Sequence, residues 1–251
     1  MRERDYQPVA PAWQRDPEDP DIWRRVVVMP SLALNKVELE FLGVVAGKAV
    51  CVLGAGEGLI PLALAAMGAK VTVIDPTNSG LDVLLVRAQI VGVELDYQEA
   101  ELTNLPSLGK QRWEIAYAAH ISGGLEDLGK FYSGVAKILI PEGRLVINEY
   151  HPFRRIWRQE PGSPRVAHSY FERRPHPKEE EDEEPLRLPC EPYTLYTYHW
   201  TVSDYFYFLT QAGFQIIGFE EVGDSRQHWE MPNLAGLPEQ LVIHARKRRK
   251  D

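Results

Sequence analysis

The chain has 251 residues, 44% of them hydrophobic and 25% charged, with a formal net charge of −8 and two cysteines. That length and composition suit one globular core with room for an insertion, and no apolar run reaches the roughly 18 residues that cross a bilayer. An acidic protein lacks the positive field that draws phosphate backbones, which makes nucleic acid an unlikely partner.

The first 31 residues carry five prolines and two tryptophans, Trp13 and Trp23, without a clear period, and are expected to form an N-terminal arm. They hold no apolar core segment of the signal-peptide kind. Ser31 is expected to cap an amphipathic helix that runs through Leu32, Leu34, Val37 and Phe41 and stops near Gly43. Ala49–Leu53 is a continuous apolar run ending at glycine, the pattern of a strand buried on both faces. Leu59–Met67 reads as a helix with Pro61 in its first turn and Gly68 at its end. Val71–Ile74 is a second buried strand ending at Asp75, and Leu81–Val91 a helix closed by Gly92. Ile115–Ala119 and Arg144–Ile147 supply two further strands. Strands alternating with helices imply right-handed βαβ units and a mostly parallel, doubly wound α/β sheet.

The texture changes after Tyr150. Residues 151–192 contain eight prolines and the acidic run Glu179 to Glu184, read as a solvated loop. Cys190 lies there and Cys51 in the first strand, so a disulfide is not expected and a reducing, cytoplasmic setting is. Regular structure resumes with a strand over Thr194–Trp200, whose Tyr196, Tyr198 and Trp200 share a face. Thr201 and Asp204 form a capping box for the helix Val202–Ala212. Phe214–Phe219 and Gln240–Ala245 complete the sheet, and Arg246 to Lys250 read as a solvated basic tail. The division is thus 1–31 arm, 32–150 core, 151–200 insertion over the acceptor, and 201–251 the remainder of the core.

The chemistry concentrates in Leu53-Gly54-Ala55-Gly56-Glu57-Gly58, between the first strand and the first core helix. Glycines there allow a tight turn and let backbone N–H groups approach a ligand. Asp75, 21 residues after Gly54 at the end of the second strand, can accept from ribose hydroxyls; alternatively, followed by Pro76, it only caps a turn. A dinucleotide site would want glycine at position 59, where Leu59 stands, which argues against a nicotinamide dehydrogenase.

The G-x-G-x-G spacing, with "EAELTNLP", "WEIAYAAH" and "LIPEGRLVI", resembles the class I S-adenosylmethionine-dependent methyltransferases over about residues 32–150, and "SDYFYFLTQAGFQIIGFEE" resembles the end of their small-molecule members. The resemblance implies a seven-stranded sheet with an antiparallel last pair, and S-adenosyl-L-methionine as cofactor. It implies that Leu53, Gly54, Ala55, Gly56 and Gly58 wrap the amino-acid end of the cofactor and that Asp75 and Pro76 meet its ribose. Glu101 and Leu102 would face the adenine, with Ala118 beside them on the fourth strand. Val52 stands where many members carry an acid, and Glu142 replaces a glycine of the turn before the fifth strand. The expected activity is methyl transfer to a small-molecule acceptor; the alternative is a cofactor-binding partner or regulatory protein without transfer. Ligands of open α/β sheets lie beyond the carboxyl ends of the strands, where His120 and His151 fall and could act as bases. Glu149 and Tyr150 are weaker candidates at the same edge.

Overall fold

The computed structural model describes residues 19–78, 80–109, 112–158, 165–166, 168–172, 176–177, 196–223 and 237–249. Seven strands form one sheet: β1 (Ala49–Leu53), β2 (Lys70–Asp75), β3 (Leu95–Glu99), β4 (Trp113–Ala119), β5 (Leu139–Tyr150), β6 (Phe214–Val222) and β7 (Gln240–Lys247). Their order is β6-β7-β5-β4-β1-β2-β3. β1 to β5 run parallel, whereas β7 is antiparallel to both β5 and β6. The order reverses between β1 and β4, and such a switch opens a crevice at the carboxyl edge of the sheet.

Helices cover both faces. On one lie α1 (Ile22–Arg25), α2 (Lys36–Leu42), α3 (Leu59–Ala66) and α4 (Leu81–Val91), packed on Val50, Val52, Val73, Tyr117 and Val146. On the other, α5 (Leu128–Ile138) and α6 (Val202–Gln211) pack on Leu53, Ile74, Ala118, Ile147 and Ile243. Each fully buried side chain of this size contributes about 1.5–3 kcal/mol, so both faces of the sheet must be covered for it to persist.

Several expectations hold in detail. Thr201 and Asp204 form the capping box, and Gly92 ends α4 in the left-handed region. Others are corrected. The helix after the arm is capped by Asn35, whose side chain accepts from the Glu38 N–H while Glu38 accepts from the Asn35 N–H. Pro30–Leu32 forms only a 3-10 turn, so Ser31 is not the cap. The expected strand over Thr194–Trp200 is confined, among the described residues, to Tyr196–Thr197 paired with His176–Pro177. Arg246 and Lys247 are not tail: they end β7, and the Lys247 ammonium donates to the Leu139 carbonyl at 2.6 Å. The acidic run Glu179 to Glu184 lies outside the described residues, as do Cys190 and most of the arm. Glu142 adopts φ 63°, a left-handed conformation that costs a residue with a side chain about 1–2 kcal/mol, which explains why glycine suits that turn.

Two elements had no clear sequence signal. β3, Leu-Asp-Tyr-Gln-Glu, is an edge strand of half-exposed and exposed residues, and its apolar content is low because few neighbours require it. α5 carries two poor helix formers: Gly129, where a Cβ would come within 2.9 Å of Phe208, and Gly134, where it would make ordinary contact with Leu105 at 3.5 Å.

Candidate functional site

β1 delivers Leu53 into the core and the chain then turns through Gly54, Gly56 and Gly58, at φ 89°, 51° and 80°. The three glycines have different reasons. A Cβ at Gly54 would crowd Ile121, and one at Gly58 would meet Leu84 at 2.7 Å, so both serve packing. A Cβ at Gly56 would meet nothing within 4 Å, and the residue is exposed. Gly56 therefore faces open space at the crevice, where its bare backbone can approach a ligand.

Asp75, 3% exposed, is the acid of this loop in a literal sense. Its Oδ2 accepts the Ala55 N–H at 2.7 Å, and its Oδ1 accepts the Thr77 N–H at 2.9 Å and the Thr77 hydroxyl at 3.1 Å. A carboxylate offers about four acceptor positions, and these three bonds use all but one. Asp75 is thus both a turn residue and a clamp on the glycine loop. Tyr97 of β3 secures the turn from outside by donating to the Thr77 carbonyl at 2.7 Å. Burial and the neighbouring Asp75 and Glu99 carboxylates push the Tyr97 hydroxyl up from its ordinary pKa.

The other expected cofactor residues fall along the same edge. Pro76 is half-buried beside Asp75; Glu101 is exposed and starts a 3-10 turn, and Leu102 is buried below it. Leu53 and Ala118 lie side by side at the ends of β1 and β4. Their side chains, 1% and 0% exposed, are core residues paired to each other across β1 and β4, so only their backbones remain for a ligand. Val52 pairs with Tyr117, whose hydroxyl donates to the buried carboxylate of Glu38. Burial pushes the Glu38 carboxyl up.

The two histidines differ sharply. His151 is 5% exposed, and both ring nitrogens are engaged: Nδ1 accepts the Phe153 N–H at 3.1 Å, and Nε2 lies 2.8 Å from the Glu221 carboxylate. Burial lowers its pKa, while Glu221 opposes the shift. His120 is half-exposed directly after β4, stacks on Tyr150 at 4.2 Å, and holds φ 54°, a conformation other than glycine rarely adopts. Strain of that kind collects at functional sites. Sequence reasoning missed Tyr97, Thr77, Ser122 and Tyr205. Only Ser122 carried a signal, as the polar opening of the Ser-Gly-Gly loop after β4.

Comparison with known proteins agrees with this geometry. Residues 51–147 match the methyltransferase domain family. A ubiquinone biosynthesis O-methyltransferase of Azorhizobium caulinodans is 27% identical over 96 residues, covering 38% of each chain, so this chain spans well under half the length of that relative. An S-adenosylmethionine dependent methyltransferase from Mesorhizobium loti superposes with a TM-score of 0.66 at 22% identity, covering 83% of this chain and 94% of that one. A second, from Methanosarcina mazei, gives 0.60 at 16% identity, covering 86% and 99%. No helix among the described residues is long and apolar enough to cross a membrane. Residues 51–147 thus match the methyltransferase domain family, in a chain that has the fold of the class I S-adenosylmethionine-dependent methyltransferases.

Proposed function

We propose that the protein binds S-adenosyl-L-methionine over the carboxyl ends of β1, β2 and β4 and transfers its methyl group to a small-molecule acceptor beyond β4 and β5, in the cytoplasm. The observation that carries this reading is the glycine loop clamped to Asp75 with Gly56 facing open space at the switch point. When bound, the cofactor supplies an electrophilic methyl group on a sulfonium. The backbone of Gly54 to Gly58 would hold its amino-acid end, and the remaining acceptor position of Asp75 a ribose hydroxyl. Glu101 and the Leu102 N–H would serve the adenine. Such a site accelerates transfer mostly by orientation, since aligning the partners is worth several kcal/mol.

For an acceptor that loses a proton, His120 is the better-placed base. It sits at the crevice and is half-exposed, whereas His151 is enclosed and engaged at both nitrogens. His151 accordingly ties the end of β5 to Glu221 of β6, two strands away across β7. The test is calorimetry with S-adenosylhomocysteine, followed by mass spectrometry of acceptors incubated with S-adenosylmethionine. Binding to NAD in place of S-adenosylhomocysteine would refute the assignment, and binding without any transfer would favour a cofactor-binding partner protein.

A further inference from the structure

Past β4 the chain turns through His120 to Gly124, and the His120 N–H, donating to the Asn148 carbonyl at 2.8 Å, and the Glu149 carboxylate tie that turn to β5. Glu149, 3% exposed, accepts the N–H groups of Ile121 at 3.0 Å and Ser122 at 2.9 Å on one oxygen. The turn in its place carries the segment before α6. Trp200 Nε1 donates to the carbonyls of Ser122 at 3.0 Å and Leu125 at 3.2 Å, and the Tyr198 N–H donates to Gly123 at 2.9 Å. From α6, the Tyr205 hydroxyl reaches within 2.6 Å of Ser122 Oγ.

These groups enclose a recess of about 10 Å³, lined among others by Ser122, Glu149, Tyr150, Tyr198, Trp200 and Tyr205. Space of that order admits one water-sized group and nothing larger. Among the described residues its lining holds no lysine or arginine, and the one imidazole, that of His199, is engaged through Nε2 with the Tyr170 carbonyl at 2.8 Å, so a carboxylate or phosphate meets no guanidinium or ammonium partner there. Its rings are flat and ordered: Tyr198 and Trp200 stack at 6.5 Å, and Tyr150 stacks on His120. A hydroxyl both donates and accepts, and so can join the Ser122 and Tyr205 hydroxyls whichever way their protons run.

We propose that this recess takes one hydroxyl group of a neutral aromatic acceptor, with Ser122 and Tyr205 as its hydrogen-bond partners and Glu149 as the positioning residue that holds the turn. The proposal rests on the methyltransferase reading for the identity of the neighbouring site. It selects phenol-like acceptors over acids of the same size, because an acid brings an extra oxygen to a water-sized recess, and a charge that no lysine or arginine among the described lining residues would meet.

The experiment uses the full chain saturated with S-adenosylhomocysteine, and follows phenol, toluene and benzoate by ligand-observed NMR. Phenol is expected to bind saturably, and toluene and benzoate at least fivefold more weakly. Ser122→Ala and Tyr205→Phe should each weaken phenol at least fivefold while leaving S-adenosylhomocysteine affinity unchanged; both lower the melting temperature modestly, because each removes one partner of the buried Ser122–Tyr205 hydrogen bond. Glu149→Gln keeps an oxygen for the two N–H groups and should retain phenol; Glu149→Ala should lose it. Should one variant fold poorly, the other hydroxyl deletion carries the same reading. Unchanged phenol affinity in both hydroxyl deletions, preference for benzoate, or a recess that holds only water in the wild type would each overturn the proposal. Loss of S-adenosylhomocysteine binding alone, with phenol still dependent on Ser122, would refute the cofactor reading and not the recess.

Discussion

Ala55 donates its backbone N–H to Asp75 Oδ2 at 2.7 Å, across 20 residues of sequence, and thereby locks the glycine loop of β1 to the end of β2. Gly54 reinforces the lock, its N–H donating to the Ile74 carbonyl at 2.8 Å. Binding energy otherwise spent on ordering a loop is saved when the loop is already fixed.

Asp75→Ala should therefore act twice. Leaving the half-buried Ala55 and Thr77 donors without their acceptor should cost about 1 kcal/mol or more of stability, and S-adenosylhomocysteine affinity should fall at least tenfold. Chemical denaturation and calorimetry measure the two effects separately. Loss of stability with unchanged affinity would leave Asp75 as a clamp only.

Gly56→Ala should weaken the cofactor without unfolding the chain. The left-handed backbone at φ 51° costs about 1–2 kcal/mol with a side chain, and the added methyl group enters the space reserved for the ligand. Gly47→Ala is the matched control, because Gly47 has φ 75° and nothing within 4 Å of its added Cβ. It should share the strain and spare the affinity. Equal affinities for the two variants would show that Gly56 faces no ligand.

Replacing His120 separates ring from backbone. His120→Gly relieves the positive φ, so stability should hold or rise, yet turnover should drop by about 10²–10⁴-fold if the imidazole is the base. His151→Ala should instead lower the melting temperature, since it removes the partner of Glu221 and of the Phe153 N–H. Full turnover in His120→Gly would assign the reaction to positioning alone.

Stability should fall as acid is added through the histidine range. His244, its ring tilted against Phe41 at 5.4 Å between centroids, has its pKa lowered to about 4 by burial first, then by Arg144 and Arg246. Its folded value lies below the ordinary 6.5, so the unfolded chain binds the proton first and the native state loses ground between pH 6.5 and about 4. His151 shifts in the same direction, whereas Glu38, raised by burial, gives the opposite sign. The His244→Phe variant isolates the effect: denaturation at pH 7.0 and 4.5 should show a shallower loss than in the wild type. An identical loss would mean that His244 is not neutral in the fold.

The sheet was legible from sequence wherever strands are buried on both faces, because there nearly every residue must be apolar: Ala49–Leu53 and Val71–Ile74 announce themselves. The glycine loop and Asp75 were legible too, since a left-handed turn and an acid at a strand end are properties of residue type and spacing. β3 and α5 were not, because an edge strand needs little burial and α5 hides its contacts behind two glycines. The sites of His120 and His151 were equally ambiguous on paper, each following a strand. Only the tertiary structure separated them, by closing Glu221 and Phe153 around one ring and leaving the other at the crevice. The same holds for the bond from Ala55 to Asp75, 20 residues apart, unlike the two from Thr77, which belong to a local turn, and for the Ser122–Tyr205 pair, 83 residues apart in sequence. Local pattern fixes which residues must be buried; which polar groups then meet depends on distances that no single segment contains.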